Sequence, residues 1–337
     1  MVKMQNLYLS LNGIPTEAPE QSADLYFVRD PQGAWYPNQG NRLYEIDEAC
    51  VRLHDAFAKR VFGSLDSFYD FLRVAPEFLS TAGMNSEAAV SKDLFNQLLG
   101  KFPPVFPVNK ALYLFDCRKL VSGVQECSKE VMQLQGEFYQ ALNLEELFFP
   151  KIKEDDGVRY VTSPVVTKIY ALLGFTYIRM HSLLDYVTKL AIEIDNLKTQ
   201  FDSYPRLASK NSLFSDRKKV SLNNQAGTLF EKCSLLTEVE TVRNHLIHNG
   251  LMDDMPKVYR VISNGECVEK FLLFPDQDEE GRFDSFKNRN LFYGNENKIN
   301  LRLPSITAKF HERLLYTLEL LVEKANNIEC GTGAKEG

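Results

Sequence analysis

At 337 residues the chain has room for one large domain or two ordinary ones, and 44% hydrophobic against 25% charged residues is the balance of a packed globular protein, not a disordered one. A formal net charge of −6 excludes the molecule as a whole from acting as an electrostatic trap for nucleic acid, so an RNA site has to be a local basic patch or be assembled from two chains. No apolar run has the roughly 20 residues that a membrane-spanning helix needs, and the opening Met1-Val2-Lys3-Met4-Gln5 lacks the apolar stretch of a signal peptide.

In chain order, the first forty residues mix aromatics with turn formers (Leu7-Tyr8-Leu9, Tyr26-Phe27-Val28, Asp30-Pro31-Gln32-Gly33) and read as one or two short strands or irregular segments. From Tyr44 to Phe62, the residues Ile46, Cys50, Leu53, Phe57 and Val61 recur at helical spacing, and Gly63 stops the run. Shorter helices are predicted near Leu65 to Leu72 and Glu87 to Leu99. The stretch from Phe102 to Pro107 is a stiff connector, and a further helix covers Leu120 to Leu142. Acidic Glu154-Asp155-Asp156 before Gly157 marks a surface loop. A boundary falls there, between a mostly helical N-terminal region, 1–150, and a helical domain, 158–328.

Thr162-Ser163-Pro164 then gives a helix start, with hydroxyls to cap it and a proline already set for the first turn. That helix runs to about Lys198, roughly 50 Å at 1.5 Å per residue. A loop with Arg206, Lys210 and Arg217-Lys218-Lys219 follows and reads as solvated. The next helix spans Gln225 to Asn249 and stops at Gly250. Past Pro256, the runs Val258–Ile262 and Val268–Leu273 flank Ser263-Asn264-Gly265, an Asn-Gly hairpin signal, and a third strand is allowed near Leu291 to Tyr293, which gives a β insertion at about 256–295. The acidic run from Asp276 to Glu280, closed by Gly281, is a loop that would repel RNA. A final helix starts around Pro304-Ser305 and carries Ile306, Phe310, Leu314, Leu318 and Leu321 on one face, and 329–337 is a flexible tail. Six cysteines show no C-x-x-C pair and no His partners at ligand spacing, and Cys50 and Cys233 read as small core residues inside helices. The expectation is a mainly α, cytoplasmic protein with no metal, no cofactor and no membrane partner.

Chemistry gathers on the helix from Gln225 to Asn249. Its apolar stripe is Leu229, Cys233, Leu236, Val239, Val242 and Leu246, while Thr237, Thr241, Asn244 and His248 form a polar line on the opposite side. Arg243 lies about 100° from Asn244 around the helix, and Glu240 is one turn before both. An imidazole titrating near neutrality can take the proton of a ribose 2′-hydroxyl or return one to the leaving oxygen. A guanidinium matches phosphate oxygens and stabilises charge that develops on them, and an amide can orient either group. One helix supplies one such histidine, so acid and base roles call for a symmetric pair of chains. His245 is expected to be exposed or to support the site from behind, and His54, His181 and His311 are isolated packed or surface histidines.

Arg243-Asn244-His245-Leu246-Ile247-His248 resembles the R-N-x-x-x-H motif of the HEPN superfamily, in which arginine, a polar residue and histidine stand late in a long helix of a bundle. The resemblance covers roughly Thr162 to Gly250. It implies a C-terminal HEPN-like helical bundle with an inserted β-hairpin. It also implies a metal-independent endoribonuclease with Arg243 and His248 catalytic and Asn244 supporting, and a homodimer that forms one composite RNA site. Roles as a toxin or phage-defence effector, with an antitoxin or regulatory protein as partner, come with it. HEPN toxins paired with nucleotidyltransferase antitoxins often carry a tyrosine two residues after the histidine. Gly250 stands there instead, so inhibition by tyrosine modification is not expected.

Overall fold

The computed structural model describes residues 7–17, 25–83, 90–148, 154–222, 224–250, 252–289, 291–294 and 297–327, and most of these are helical. Helices α1 (Leu43–Phe62), α2 (Leu65–Val74), α3 (Phe78–Thr81) and α4 (Lys92–Leu99) precede α5 (Val108–Leu144), and α6 (Pro164–Asp195), α7 (Ser234–His248) and α8 (Ile299–Asn327) follow. The chain is mainly α. Hydroxyl caps set three of the starts. Ser64 accepts from the Ser67 amide at 3.1 Å in α2, Ser91 from Leu94 at 3.3 Å in α4, and Ser163 from Val166 at 3.2 Å in α6, where Pro164 takes the first helical position.

Two helices begin earlier than their sequence signals suggested. α5 starts straight after Pro107, because Ala111, Leu114, Cys117 and Val121 extend the buried stripe toward the proline. α8 starts at Ile299, which leaves Pro304 inside it. Proline has no amide to offer the carbonyl of Asn300 one turn back, and the buried Tyr139 hydroxyl of α5 donates to that carbonyl instead.

The N-terminal segment forms three strands, β1 (Leu9–Ser10), β2 (Tyr26–Arg29) and β3 (Trp35–Pro37), in one antiparallel sheet, where one or two had been expected. A second antiparallel sheet orders β4 (Gly157–Val161), β5 (Val258–Ser263) and β6 (Glu266–Phe271). The β5–β6 turn has φ of 55° at Asn264 and 78° at Gly265, the left-handed pair that a two-residue hairpin of matching twist requires. The Asp156 carboxylate accepts from the Gly265 amide at 3.1 Å, so the acidic loop steadies this turn. Leu291 to Tyr293 form no strand. The third strand is β4, and it escaped detection because four of its five residues are exposed and show no buried–exposed alternation.

By compactness the chain divides into two units, each drawn from three stretches. One comprises Met1–Leu43, Glu126–Leu183 and Leu229–Leu314, and the other Tyr44–Gln125, Leu184–Thr228 and Leu315–Gly337. In the first, Tyr177, Met180, Val239, Val242, Phe274 and Phe310 are buried, and Phe27 of β2 stacks on Tyr139 with ring centres 4.3 Å apart. A Cβ at Gly136 of α5 would stand 2.2 Å from the Trp35 carbonyl oxygen, so β3 lies against helix backbone. Lys270 of β6 donates to the carbonyls of Leu142 at 2.9 Å and Asn143 at 3.2 Å, which caps the last turn of α5, and burial holds its amine below the usual lysine range.

The second unit buries Ile46, Leu53, Phe57 and Val61 of α1, the stripe expected from their spacing. Its buried carboxylate, Glu193 of α6, is fully engaged. Tyr113 donates to one oxygen, and the amide and hydroxyl of Ser209 donate to the other at 2.9 Å and 2.8 Å. Burial pushes the Tyr113 hydroxyl far above its ordinary pKa, with Cys117 and the Glu193 carboxylate adding to the shift. No helix among the described residues is long and apolar enough to cross a membrane. The expected tail at 329–337, the first residues of the helix expected from Glu87, and Cys330 lie outside the described residues.

Candidate active site

The motif helix is shorter than its pattern suggested. α7 begins at Ser234, after Cys233 in extended backbone with φ of −147°. Upstream, Thr228 turns back on the Gln225 carbonyl through its amide at 3.1 Å and its hydroxyl at 2.6 Å, a local bond that competes with helix. Leu229 and Phe230 are buried from this turn, and Cys233 is half-buried at the N-cap, not packed inside a helix.

Three contacts fix α7 in place. Glu238, only 5% exposed, accepts from the Tyr177 hydroxyl of α6 and from Arg302 Nη2 of α8 at 2.9 Å, and Arg302 Nη1 donates to Asn297 at 2.6 Å. Burial, then the Glu238 carboxylate, raise the Tyr177 hydroxyl well above its ordinary pKa. Gly281, at φ +88°, lies on the first turn of the helix, where a Cβ would come within 2.3 Å of the Ser234 carbonyl oxygen. His245 is 7% exposed and meets the Phe283 ring edge-on with centres 5.6 Å apart, which corrects the expectation of exposure. Sequence reasoning passed over Glu238 and left His245 either exposed or behind the site, yet the burial of both follows from spacing. Glu238, Val242 and His245 are four and three residues apart and share the core face.

On the other side of α7, Asn244 and His248 are exposed and Arg243 is half-buried. Arg243 Nη1 donates to Asn244 Oδ1 at 2.9 Å, so the amide holds the guanidinium against the helix surface. His248 stands one turn beyond Asn244 on the same line. Thr237 and Thr241, expected further up this line, are half-buried, and the Thr237 hydroxyl is spent on the Cys233 carbonyl at 3.1 Å. Glu240 is half-buried as well. The Asn249 amide closes the helix on the His245 carbonyl at 2.7 Å, and Gly250, at φ +95°, is the expected left-handed stop. A positioned guanidinium and an open imidazole thus share one helix end. His245 cannot serve as a second acid–base group for a bound phosphate, because its ring is enclosed, with Nδ1 facing the Asn249 amide at 3.5 Å.

The remaining histidines are packed. His54 and His181 are half-buried, and His311 is fully buried with neither ring nitrogen partnered among the described residues; burial alone lowers it to about 4. The basic run at 217–219 ends a 3-10 turn, Phe214–Lys219, where Arg217 lies over the Phe214 ring at 4.3 Å and Lys219 pairs with Asp216 at 2.7 Å. Among the described residues, no group of three or more His, Cys, Asp or Glu side chains is placed to hold a metal ion. No protein-family model, no curated protein and no solved structure matches the chain.

Proposed function

We propose that the chain is a metal-independent endoribonuclease of the HEPN kind, acting as a pair of copies whose α7 ends meet over one RNA linkage. The observation that carries the reading is the Arg243–Asn244 hydrogen bond, which sets a guanidinium one turn from the exposed imidazole of His248. In this mechanism His248 of one copy takes the proton from a ribose 2′-hydroxyl. The 2′-oxygen attacks phosphorus, the bond to the 5′-oxygen breaks, and His248 of the other copy returns a proton to that leaving oxygen. The products are a 2′,3′-cyclic phosphate and a free 5′-hydroxyl. Arg243 stabilises charge on the non-bridging oxygens, and Asn244 keeps the guanidinium aimed. In this reading 158–328 is a HEPN-like bundle carrying the β-hairpin, the partners are RNA, a second copy and an antitoxin or regulatory protein, and the setting is toxin or defence biology in the cytoplasm.

The test is incubation of purified protein with total RNA in EDTA. Cleavage is expected, leaving cyclic phosphate ends, with His248→Ala and Arg243→Ala each slower by about a hundredfold or more. Undiminished cutting by both variants would remove the site. A second reading, a non-catalytic helical module that binds RNA or protein, is favoured by one feature: each chain exposes a single imidazole at this helix end. It predicts binding without cleavage at every protein concentration.

A further inference from the structure

A groove of about 630 Å³ runs between α6 and the end of α7, lined by Gly174, Phe175 and Ile178 from one and by Leu246, Met252 and Pro256 from the other and the segment after it. Its wall is almost wholly apolar. Two charged side chains that reach it are already paired, Lys168 with Glu145 at 2.6 Å and Asp253 with Lys257 at 3.3 Å. Gly174 brings bare backbone to the groove, and a Cβ there would meet Leu246 at 3.3 Å. Phe175 is 40% exposed, and the Arg179 guanidinium lies 4.7 Å from its ring centre, which steadies the ring while leaving part of it open.

Helix geometry sets this groove beside the candidate site. Leu246 lies about 60° around α7 from Arg243 on one side, while Asn244 and His248 lie about 100° and 140° away on the other. A phosphate held by Arg243 would therefore have the imidazole to one side and the apolar groove to the other. We infer that the groove receives a nucleobase of the RNA strand bound at Arg243, an inference that rests on the ribonuclease reading. A base is flat, uncharged and apolar on its faces, and it stacks on an aromatic ring whatever its sequence. The groove is within the size range of small-ligand sites and offers no unpaired charge that would draw a phosphate into it.

The test uses the full chain carrying His248→Ala, so that bound RNA stays whole, and a fluorescent single-stranded RNA oligomer in which one base at a time is deleted to an abasic residue. Removal of one particular base is expected to weaken binding about tenfold, the contribution of one stacked base. That position-specific loss should vanish in Phe175→Ala and in Ala171→Trp, which should bind intact RNA about as weakly as the parent binds the abasic strand. Ala171 is exposed and lines the groove, so the larger side chain fills it without entering the core. Equal affinity for intact and abasic RNA, or no effect of either variant, overturns the inference. So does Ala171→Trp turning paired copies into single ones at unchanged RNA affinity, because the groove then belongs to a second chain. Cleavage by the His248 protein that ignores both changes removes the groove and leaves the nuclease. A chain that never cuts RNA but shows the base-dependent loss keeps the groove and removes the nuclease.

Discussion

His311 is fully buried, and neither nitrogen of its imidazole has a hydrogen-bond partner among the described residues. Desolvation is the whole cause of its shift to about 4 from the ordinary 6.5. The folded chain therefore binds the proton less readily than the unfolded chain does. The stability that follows is complete above pH 6.5, falls as pH drops through the window from 6.5 to 4, and is gone below it. A shift of this size corresponds to about 3 kcal/mol at full effect. Urea titrations of wild type and His311→Leu should give similar midpoints at pH 7 and diverge at pH 4.5, with the leucine variant more stable by about 2 kcal/mol at the lower pH. Parallel loss in the two proteins would mean that the ring is hydrated or paired. His54, lowered first by burial and then by Arg118, pulls in the same direction.

At the scale of elements, the chain compensates locally for features that would weaken a helix. Pro304 deprives Asn300 of its amide partner, and Tyr139 replaces it. Tyr139→Phe keeps the ring and strands a buried carbonyl, so it should cost about 1–2 kcal/mol. Pro304→Ala restores an amide at the right place, and the double variant should recover most of that loss. This non-additivity, read from denaturant midpoints, distinguishes a shared carbonyl from two independent sites. Glu238 ties α7 to both neighbouring helices. Glu238→Ala should cost about 2–3 kcal/mol by thermal or urea unfolding, less than a fully buried pair because the Arg302 side chain is 39% exposed and can rehydrate. Glu238→Gln, which keeps an acceptor, should lose less.

These elements also show how much the sequence made legible. Apolar spacing placed α1 and α2 to within a few residues, the Thr162-Ser163-Pro164 cap placed the start of α6, and Asn264-Gly265 placed the hairpin, because those signals are local. The start of α7 was misread because Leu229 happens to fall on the helical spacing, while the Thr228 turn that ends any helix there is a side-chain bond no periodicity records. The enclosure of His245 depends on Phe283 and that of Glu238 on Arg302, partners 38 and 64 residues away in the chain. Arg243, Asn244 and His248 could be read together as a candidate group because all three sit on one short helical stretch.

For the whole molecule, the decisive quantity is how many copies make one site. Each chain carries −6 net charge, so under the proposed reading pairing doubles the long-range repulsion of RNA, and the binding that reading requires would have to come from short-range contacts at α7. One exposed imidazole per helix end leaves either the acid or the base role unfilled within a single chain. If one linkage needs the imidazoles of both chains, a single defective chain should silence its pair. Mixing equal amounts of wild type and His248→Ala under conditions where subunits exchange leaves a quarter of the pairs with two imidazoles, so activity should fall to about a quarter of that of the same total amount of wild type. Activity that stays at about half, while sedimentation shows that mixed pairs have formed, would place a complete site in each chain. Dilution below the pairing affinity separates the remaining case: a composite site loses specific activity in proportion to the pairs lost, whereas a site complete in one chain keeps it.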